Sequence, residues 1–176
     1  MTTIAFDHLE TPVGRLYLFA TEQALCGLGF PGAEMPARQT LEKYVGHIEW
    51  RAVTDPLGLT TRLRHYFDGK LDAIEGIPVV LSGTPFQQRV WNALRNIPLG
   101  KTVSYRHIAE QIGAPSACRA VGLANGRNPV AIVIPCHRVI GANATLTGYG
   151  GGLPRKQWLL QHEGADVADA KQLRLV

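Results

Sequence analysis

The chain has 176 residues, a hydrophobic fraction of 45%, a net charge of +4 and a pI of about 9.1. This length suits one large domain or two small ones, and the composition is ordinary for a globular protein. The three cysteines lack the spacing of a metal finger and the even count of a disulfide framework, which favours a reducing compartment. The sequence has no signal-peptide pattern and no apolar run near the ~20 residues of a membrane span. We therefore predict a cytoplasmic protein with a mild bias towards polyanionic partners.

The first half of the sequence alternates between strand and helix patterns. Short β-branched and apolar runs predict four strands, at residues 4–8, 15–20, 25–30 and 48–53. Helical patterns cover residues 34–44 and 57–67. These elements predict an α/β domain over residues 1–80, built from a small antiparallel sheet with helices. This half carries no chemical motif, so its expected role is support.

The second half opens with a strong helix start at Thr84. Thr84 can cap the helix, Pro85 needs no amide partner at the first helical position, and Gln87 completes a capping box. The helix is predicted to run to about residue 96, before a proline and a glycine end it at 97–100.

A helix–turn–helix pattern follows. Ser104 can cap a helix over residues 105–112, and Ser116, after a glycine-containing turn, can cap a second helix over residues 117–124. Small residues and the single Arg119 occupy the exposed positions of the second helix, instead of the long polar side chains that read base edges in a major groove. Small residues permit close approach to a narrow groove. The alternative stays open, because most pairs of amphipathic helices around a glycine turn do not bind DNA.

The patterns define two domains and a tail. The boundary falls at residues 82–84, where Ser, Gly and Thr precede the capped helix. The second domain is predicted to be mainly α-helical and to cover residues 84–165. Residues 166–176 form a tail without a recognisable pattern.

The most informative segment is the apolar run at residues 130–134, which is followed by Cys136, His137 and Arg138. The run is short, β-branched and bounded by prolines, which predicts a buried strand. A thiol at the end of such a strand is held rigidly, and a neighbouring imidazole and guanidinium favour the nucleophilic thiolate. The alternative is a structural role, because free cysteines are among the most often buried residues.

Two further groups complete a candidate catalytic set. Side chains of consecutive residues in an extended segment point to opposite faces, so His137 is expected to reach the Cys136 sulfur through a bridging water. A base works best when a third group orients it, and Glu163 is the candidate for that group. Glu163 ends a predicted helix before Gly164, where the helix dipole disfavours a carboxylate, so a specific cationic or hydrogen-bond partner is expected. The alternative for Glu163 is a solvated charge at a helix end.

Eight short motifs occur between residues 84 and 164. They are TPFQQRVW at 84–91, IPLG at 97–100, VSY at 103–105, RAVG at 119–122, NP at 128–129, IPCHRVI at 134–140, GYGGG at 148–152 and WLLQHEG at 158–164. With these motifs the chain resembles the O6-alkylguanine-DNA alkyltransferase family, specifically its stand-alone bacterial type. The N-terminal half resembles the family only in outline.

The resemblance implies direct reversal of DNA alkylation. A methyl or larger alkyl group moves from O6 of guanine, and less readily from O4 of thymine, to the protein's own cysteine, and each molecule acts once. The implied fold is a ribonuclease-H-like first domain and a second domain with a winged helix-turn-helix. The implied partner is double-stranded DNA containing O6-alkylguanine, bound through the minor groove with base flipping and without a cofactor. The protein is expected to be a monomer in solution, with cooperative assembly on DNA left open.

The resemblance also assigns roles to individual residues. Cys136 is the alkyl acceptor, with His137, Glu163 and Tyr105 as its catalytic partners, Tyr105 bonding the base near N3. Arg119 is the finger that fills the gap in the base stack. The remaining implied sites are Ala120 and Ser104 in the DNA-binding surface and Val139, Tyr149, Gly150 and Asn128 around the base pocket. Asn128 is expected to act as a hinge rather than in the chemistry, and Gly150 can donate only through its main chain.

The chain departs from the family at Cys118 and in the tail at residues 166–176, and two other functions are alternatives to alkyl transfer. Cys118 stands where relatives often have alanine, and is read as an incidental small residue or as a second alkylation or oxidation target. No zinc ligand set is visible. A cysteine hydrolase could use Cys136, His137 and Glu163 as a triad, but it would need turnover and an oxyanion site. A non-catalytic lesion-binding relative would lack the acceptor cysteine.

Overall fold

The structure is a computed structural model that describes residues 2–166. The described residues divide into two compact units: one contains residues 2–83 together with Pro129–Val133, and the other contains Thr84–Asn128 and residues 134–166. Among residues 2–166, no helix has the length and apolarity that crossing a membrane requires.

A four-stranded sheet forms the first unit. The strands are β1 (Thr2–Thr11), β2 (Gly14–Ala20), β3 (Leu25–Gly29) and β4 (Ile48–Ala52), in the order β3-β2-β1-β4. The hairpins β1–β2 and β2–β3 are antiparallel, but β1 and β4 are parallel. The prediction of an antiparallel sheet is therefore wrong for β4. The reason is helix α1 (Glu34–Val45), which carries the chain back along the sheet so that β4 enters in the direction of β1.

One buried cluster of this unit lies between the sheet and α1 and consists of Ile4, Phe19, Cys26, Leu41 and Ile48. Further fully buried side chains come from the strands and from α2. The second helix, α2 (Leu59–Phe67), begins two residues later than predicted because Leu57 has a positive φ of 56°, which no helix allows.

The predicted capping box starts the second unit. Helix α3 (Pro85–Leu94) begins where Gln87 N donates to Thr84 Oγ1 at 3.2 Å and Thr84 N donates to Gln87 Oε1 at 2.9 Å. Trp91 is buried and donates from Nε1 to the carbonyl of Ala124 at 2.8 Å, which fixes α3 against the later helix that contains Ala124.

Two helices joined by a short connection follow, as predicted. Strand β5 (Val103–Ser104) leads into α4 (Tyr105–Gln111), whose N-cap is Ser104, with Oγ accepting from His107 N at 3.1 Å. Helix α5 (Cys118–Gly126) has Ala117 at its N-cap and no side-chain cap, so the predicted cap at Ser116 is wrong. Strand β6 (Val139–Ile140) pairs in parallel with β5, and α6 (Leu153–His162) completes the unit.

The apolar run at 130–134 is not a strand, which corrects the prediction for the segment before Cys136. Only its first residues pair with the sheet, because Leu28 N donates to Pro129 O at 2.9 Å and Ala131 N donates to Leu28 O at 2.8 Å. Ile132 then adopts a φ of 71°, and Val133 N donates to Ala131 O at 2.8 Å, which closes a tight three-residue turn. A β-branched residue in this region is strained, and such strain persists only where the surroundings impose it.

Candidate active site

Cys136 lies in a 3-10 turn, Cys136–Arg138, rather than at the end of a strand. Its side chain is buried, and two asparagines from the end of α5 and the residues after it hold the segment. Asn125 Nδ2 donates to the carbonyl of Cys136 at 3.3 Å, and Asn128 Nδ2 donates to the carbonyl of Ile134 at 2.7 Å. The position of the thiol is therefore set by the same helix that carries Arg119 on its exposed face.

Burial raises the pKa of the Cys136 thiol above its ordinary value. A side-chain hydrogen bond with Asn128 and the positive charge of Lys156 oppose that effect without overcoming it. The resting group at neutral pH is therefore a thiol. The expectation that the neighbouring guanidinium favours a thiolate is wrong, because Arg138 is directed to Glu163 and to the carbonyl of Ile97 instead.

A buried ion pair between Arg138 and Glu163 contacts His137. Arg138 donates to Glu163 from Nε at 2.8 Å and from Nη2 at 2.9 Å, and Glu163 Oε1 lies 3.0 Å from His137 Nε2. Burial disfavours the Glu163 carboxylate, but the hydrogen bonds and charges of His137 and Arg138 outweigh burial and hold its pKa well below the usual range. Glu163 thus has the cationic partner that its place at a helix end predicted.

The pair fixes which nitrogen of His137 can accept a proton. Burial lowers the pKa of His137, so the fully buried ring is neutral in the resting protein. An ionised carboxylate can only accept, so Nε2 carries the hydrogen that faces Glu163 and Nδ1 carries the lone pair. Nδ1 is buried and has no hydrogen-bond partner within residues 2–166. Glu163 therefore fixes the orientation of the His137 ring and leaves the lone pair of Nδ1 available to accept a hydrogen bond.

The prediction of a bridging water assumed an extended backbone, which Cys136 and His137 do not have. Cys136 and His137 share a 3-10 turn, in which successive side chains are separated by about a third of a turn rather than by opposite faces. The link between the sulfur and Nδ1 through a water remains a proposal.

Lys156 is a site residue that the sequence analysis missed. It is fully buried in α6, and its Nζ donates to the carbonyls of Val139 at 2.6 Å, Thr147 at 2.8 Å and Gly148 at 3.4 Å. Burial lowers its pKa to about 8, although the charge of Cys136 opposes that shift. The signal was present: Lys156 shares the i, i+3, i+4, i+7 spacing of a buried helix face with Leu159, Leu160 and Glu163.

One predicted pocket residue, Val139, contacts this lysine through its carbonyl. The Tyr105 hydroxyl donates to Thr147 O at 3.1 Å, so Tyr105 and Lys156 hold the same loop. Burial raises the pKa of Tyr105, which keeps the phenol protonated and able to donate. Val139 is buried, Tyr149 is half-buried, and Gly150 is exposed with room for a Cβ, which would lie 3.5 Å from the Gly126 carbonyl.

Helix α5 presents a distinctive outer face. Val121, Ala124 and Asn125 are buried, and the exposed positions are Arg119, Ala120, Leu123, Gly126 and Arg127. Leu123 is 65% exposed and lies one turn after Arg119, yet the sequence analysis did not single it out. Ser104 lies at the start of α4, where its hydroxyl oxygen is engaged in the cap.

Charge is divided unevenly along the chain. Residues 84–166 contain nine Lys and Arg against three Asp and Glu, whereas residues 1–83 contain seven against ten. Among the three acidic residues of 84–166, Glu110 and Asp166 are exposed, and Glu163 forms a buried ion pair with Arg138. The second unit is therefore the basic one, which suits a polyanionic partner.

Replacing Lys156 with methionine tests its electrostatic role. The variant keeps the packed stem but removes the charge that lowers the pKa of Cys136, so reaction of the thiol is expected to slow at neutral pH by about tenfold. The ratio of wild-type to variant rate is expected to shrink as pH rises through about 8, where wild-type Lys156 loses its own proton. Single-turnover rates from about pH 6.5 to about 9.5 measure this ratio. A ratio independent of pH would contradict the role.

The fold and the site define a two-unit protein in which a helical hairpin is tied to a buried cysteine, histidine and glutamate. Family models for the 6-O-methylguanine DNA methyltransferase match it twice, the ribonuclease-like domain at residues 4–81 and the DNA-binding domain at residues 85–165. The chain therefore belongs to the 6-O-methylguanine DNA methyltransferase family, which confirms the resemblance read from its motifs.

Individual relatives agree over nearly the whole chain. A methylated-DNA–protein-cysteine methyltransferase from Shigella flexneri is 44% identical over 167 residues, covering 93% of this chain and 98% of that protein. One from Mycobacterium bovis is 47% identical over 163 residues, covering 91% and 92%. The crystal structure of Mycobacterium tuberculosis OGT in complex with DNA has a TM-score of 0.78 at 43% identity, covering 91% of this chain and 92% of that one.

Proposed function

We propose that this chain repairs DNA by transferring an alkyl group from O6 of guanine to Sγ of Cys136, once per molecule. The observation that carries the proposal is the buried contact of His137 Nε2 with Glu163 Oε1 at 3.0 Å. This contact leaves Nδ1, on the residue that follows Cys136, without a hydrogen-bond partner among residues 2–166. Family membership supplies the reaction class. Transfer from O4 of thymine is the slower activity of the same site.

The chemistry balances with these groups. The thiol proton passes to a water, and a proton of that water passes to His137 Nδ1, so the sulfur becomes a thiolate and the ring an imidazolium paired with Glu163. The sulfur attacks the alkyl carbon in line, the S–C bond forms and the C–O bond breaks. The electron pair stays on the guanine, which Tyr105 stabilises by turning its single hydroxyl hydrogen from the carbonyl of Thr147 to the base near N3. The S–C bond is not cleaved again in this proposal, so each protein molecule is consumed by one transfer.

The target base must leave the helix before it can react. Flipping costs about a few kcal/mol, and Arg119 on α5 is proposed to fill the gap that the base leaves in the stack. The small residues Ala120 and Gly126 let α5 approach the floor of a minor groove. Ser104, at the start of α4, is proposed to contact the DNA backbone. The basic second unit supplies the sequence-independent attraction, which makes binding salt-dependent.

The remaining parts take supporting roles in this proposal. Helices α4 and α5, with the β5–β6 pair beside them, act as a winged helix-turn-helix, and residues 1–80 act as a ribonuclease-H-like support. Val139, Tyr149 and Gly150 line the base pocket, and Asn128 couples the recognition helix to the acceptor segment. The protein acts as a cytoplasmic monomer. The predicted tail at 166–176 lies outside the described residues except for Asp166.

Arg119→Ala tests the finger. The rate of transfer from O6-methylguanine in duplex DNA is expected to fall by about ten- to a hundredfold, because no side chain then fills the gap that the flipped base leaves in the stack. The rate of reaction with the free base is expected to stay unchanged. Single-turnover rates on both substrates measure the difference. Arg127→Ala is the matched control, since removal of a neighbouring exposed cation should weaken binding to all DNA alike. Equal losses of Arg119→Ala on duplex and free base would contradict the role.

The function itself is tested by offering a duplex with one O6-methylguanine and measuring the intact mass of the protein. The proposal predicts that the protein gains the mass of one CH2 group, as methyl replaces the thiol hydrogen, and that peptide mapping places it on Cys136. An unmodified duplex is the control. Release of methanol with unmodified protein would indicate a hydrolase instead, and binding without any mass change would indicate a lesion-binding protein.

A further inference from the structure

Asn125 occupies an unusual position on helix α5. It is 2% exposed, it lies on the buried face of the helix, and its Nδ2 donates to the carbonyl of Cys136 at 3.3 Å. The orientation of the amide follows from that bond, because the reversed amide would set two carbonyl oxygens against each other. The other end of the amide, Oδ1, is therefore a fixed acceptor.

That acceptor has no protein partner. Asn125 Oδ1 is buried and makes no hydrogen bond to any residue in 2–166. A buried acceptor without a donor destabilises a fold, and in a native protein such an atom needs an explanation. A leucine at this helix position would pack without that penalty, so the amide points to a role beyond packing.

The second such atom adjoins the same cysteine. His137 Nδ1 is likewise a buried acceptor without a protein partner, and His137 follows Cys136 directly, while Asn125 binds the carbonyl of Cys136. A water that carries the thiol proton uses its lone pair for the S–H and one hydrogen for Nδ1. Its other hydrogen then needs an acceptor inside the buried site. Asn125 Oδ1 is the acceptor of matching chemistry.

We propose that Asn125 is a positioning residue, which fixes the carbonyl of Cys136 through Nδ2 and orients the proton-carrying water between Cys136 and His137 through Oδ1. The inference deepens the proposed function and rests on it. In the transfer of the proton, the thiol hydrogen goes to the water, a water hydrogen goes to Nδ1, and Asn125 neither gains nor loses a proton. Its contribution is geometry alone.

Asn125→Leu provides the test, with single-turnover methyl transfer from an O6-methylguanine duplex, affinity for that duplex and Tm as readouts. The rate is expected to fall by about ten- to a hundredfold because the relay is misaligned. Affinity is expected to stay the same, and Tm to change by less than about 5 °C, because loss of the bond from Nδ2 to the Cys136 carbonyl and removal of the unpaired acceptor have opposite effects on stability. Asn92→Leu, an exposed asparagine on α3, is the matched control and should react at the wild-type rate.

A pH profile separates the relay from packing. The ionisable groups around the thiol are His137 in its own turn, Tyr105 on α4, Lys156 on α6, and the pair of Arg138 with Glu163. All of them are kept in the variant. As pH rises towards about 9.5, hydroxide increasingly removes the thiol proton without the relay, so the deficit of Asn125→Leu is expected to narrow. If the leucine variant does not fold, Asn125→Ala carries the same expectation.

The outcomes are distinct. A slow variant with unchanged Tm and a deficit that narrows with pH supports the positioning role. A wild-type rate for Asn125→Leu overturns it. A lower Tm combined with a loss of rate that is the same factor at every pH overturns it as well. If the wild-type protein acquires no methyl group, the proposed function has failed, whereas an active wild type with an equally active variant sinks only this inference.

Discussion

Cys136→Ala is expected to abolish alkyl transfer completely while the protein stays folded and still binds DNA. The reason is that the attacking atom is removed and no other nucleophile shares its setting: Cys26 is buried in the first unit, where burial raises its pKa to about 12, and Cys118 lies at the start of α5 with Sγ directed to the Pro115 carbonyl at 3.7 Å. The change is small in volume, so the fold should persist. Single-turnover transfer and duplex affinity measure the two halves of this expectation.

Cys118→Ser is the matched control for that experiment. It removes a second thiol from the recognition helix without touching the turn that holds Cys136, and full transfer is expected. If the Cys118→Ser variant accepted half as many alkyl groups per molecule as the wild-type protein, Cys118 would be a second acceptor. Loss of DNA binding in Cys136→Ala would contradict the separation of binding from chemistry.

Glu163→Gln is expected to have the second largest effect, on both activity and stability. The amide can donate to His137, which would move the ring hydrogen to Nδ1 and leave no lone pair for the thiol proton. A wrong tautomer of a catalytic histidine lowers kcat by up to about 10⁴-fold in a well-studied hydrolase, and a loss of about 10²- to 10⁴-fold is expected here. The change also leaves Arg138 buried without its anion, which destabilises by about 3–5 kcal/mol.

A double variant separates these two effects. Glu163→Gln with Arg138→Met removes the unpaired charge, so the free energy of unfolding should recover in part while transfer stays low. Chemical denaturation and single-turnover kinetics measure them independently. Recovery of transfer together with stability would mean that Glu163 acts only through packing.

The same carboxylate predicts how stability depends on pH. Its pKa is lower in the folded protein than the usual value of 4.5, so it stabilises the fold above that value. The contribution is expected to be lost as pH falls below about 4.5, and Glu163→Gln should flatten that part of the profile.

Local rules explain what the sequence could predict. The capping box at Thr84 and Gln87 depends on residues three apart, and the structure contains both of its hydrogen bonds. The partner of Glu163 could be expected because a carboxylate at a helix end is unfavourable without one.

The features that the sequence could not predict depend on tertiary surroundings. The run at 130–134 has the composition of a strand, yet a positive φ at Ile132 breaks it, and such strain is imposed by packing rather than by propensity. The direction of β4 depends on the crossover through α1. Lys156 and Asn125 are polar residues on buried helix faces, and their partners are backbone carbonyls far away in sequence.

The proposed repair uses the sulfur of Cys136 once per protein molecule. The most direct test is to mix the wild-type protein with a large excess of O6-methylguanine duplex and to follow repair to completion. We predict a single burst in which repaired lesions equal the protein molecules, with every molecule carrying one methyl group on Cys136 and no further repair afterwards. Continued repair beyond one lesion per molecule, with Cys136 recovered unmodified, would contradict it.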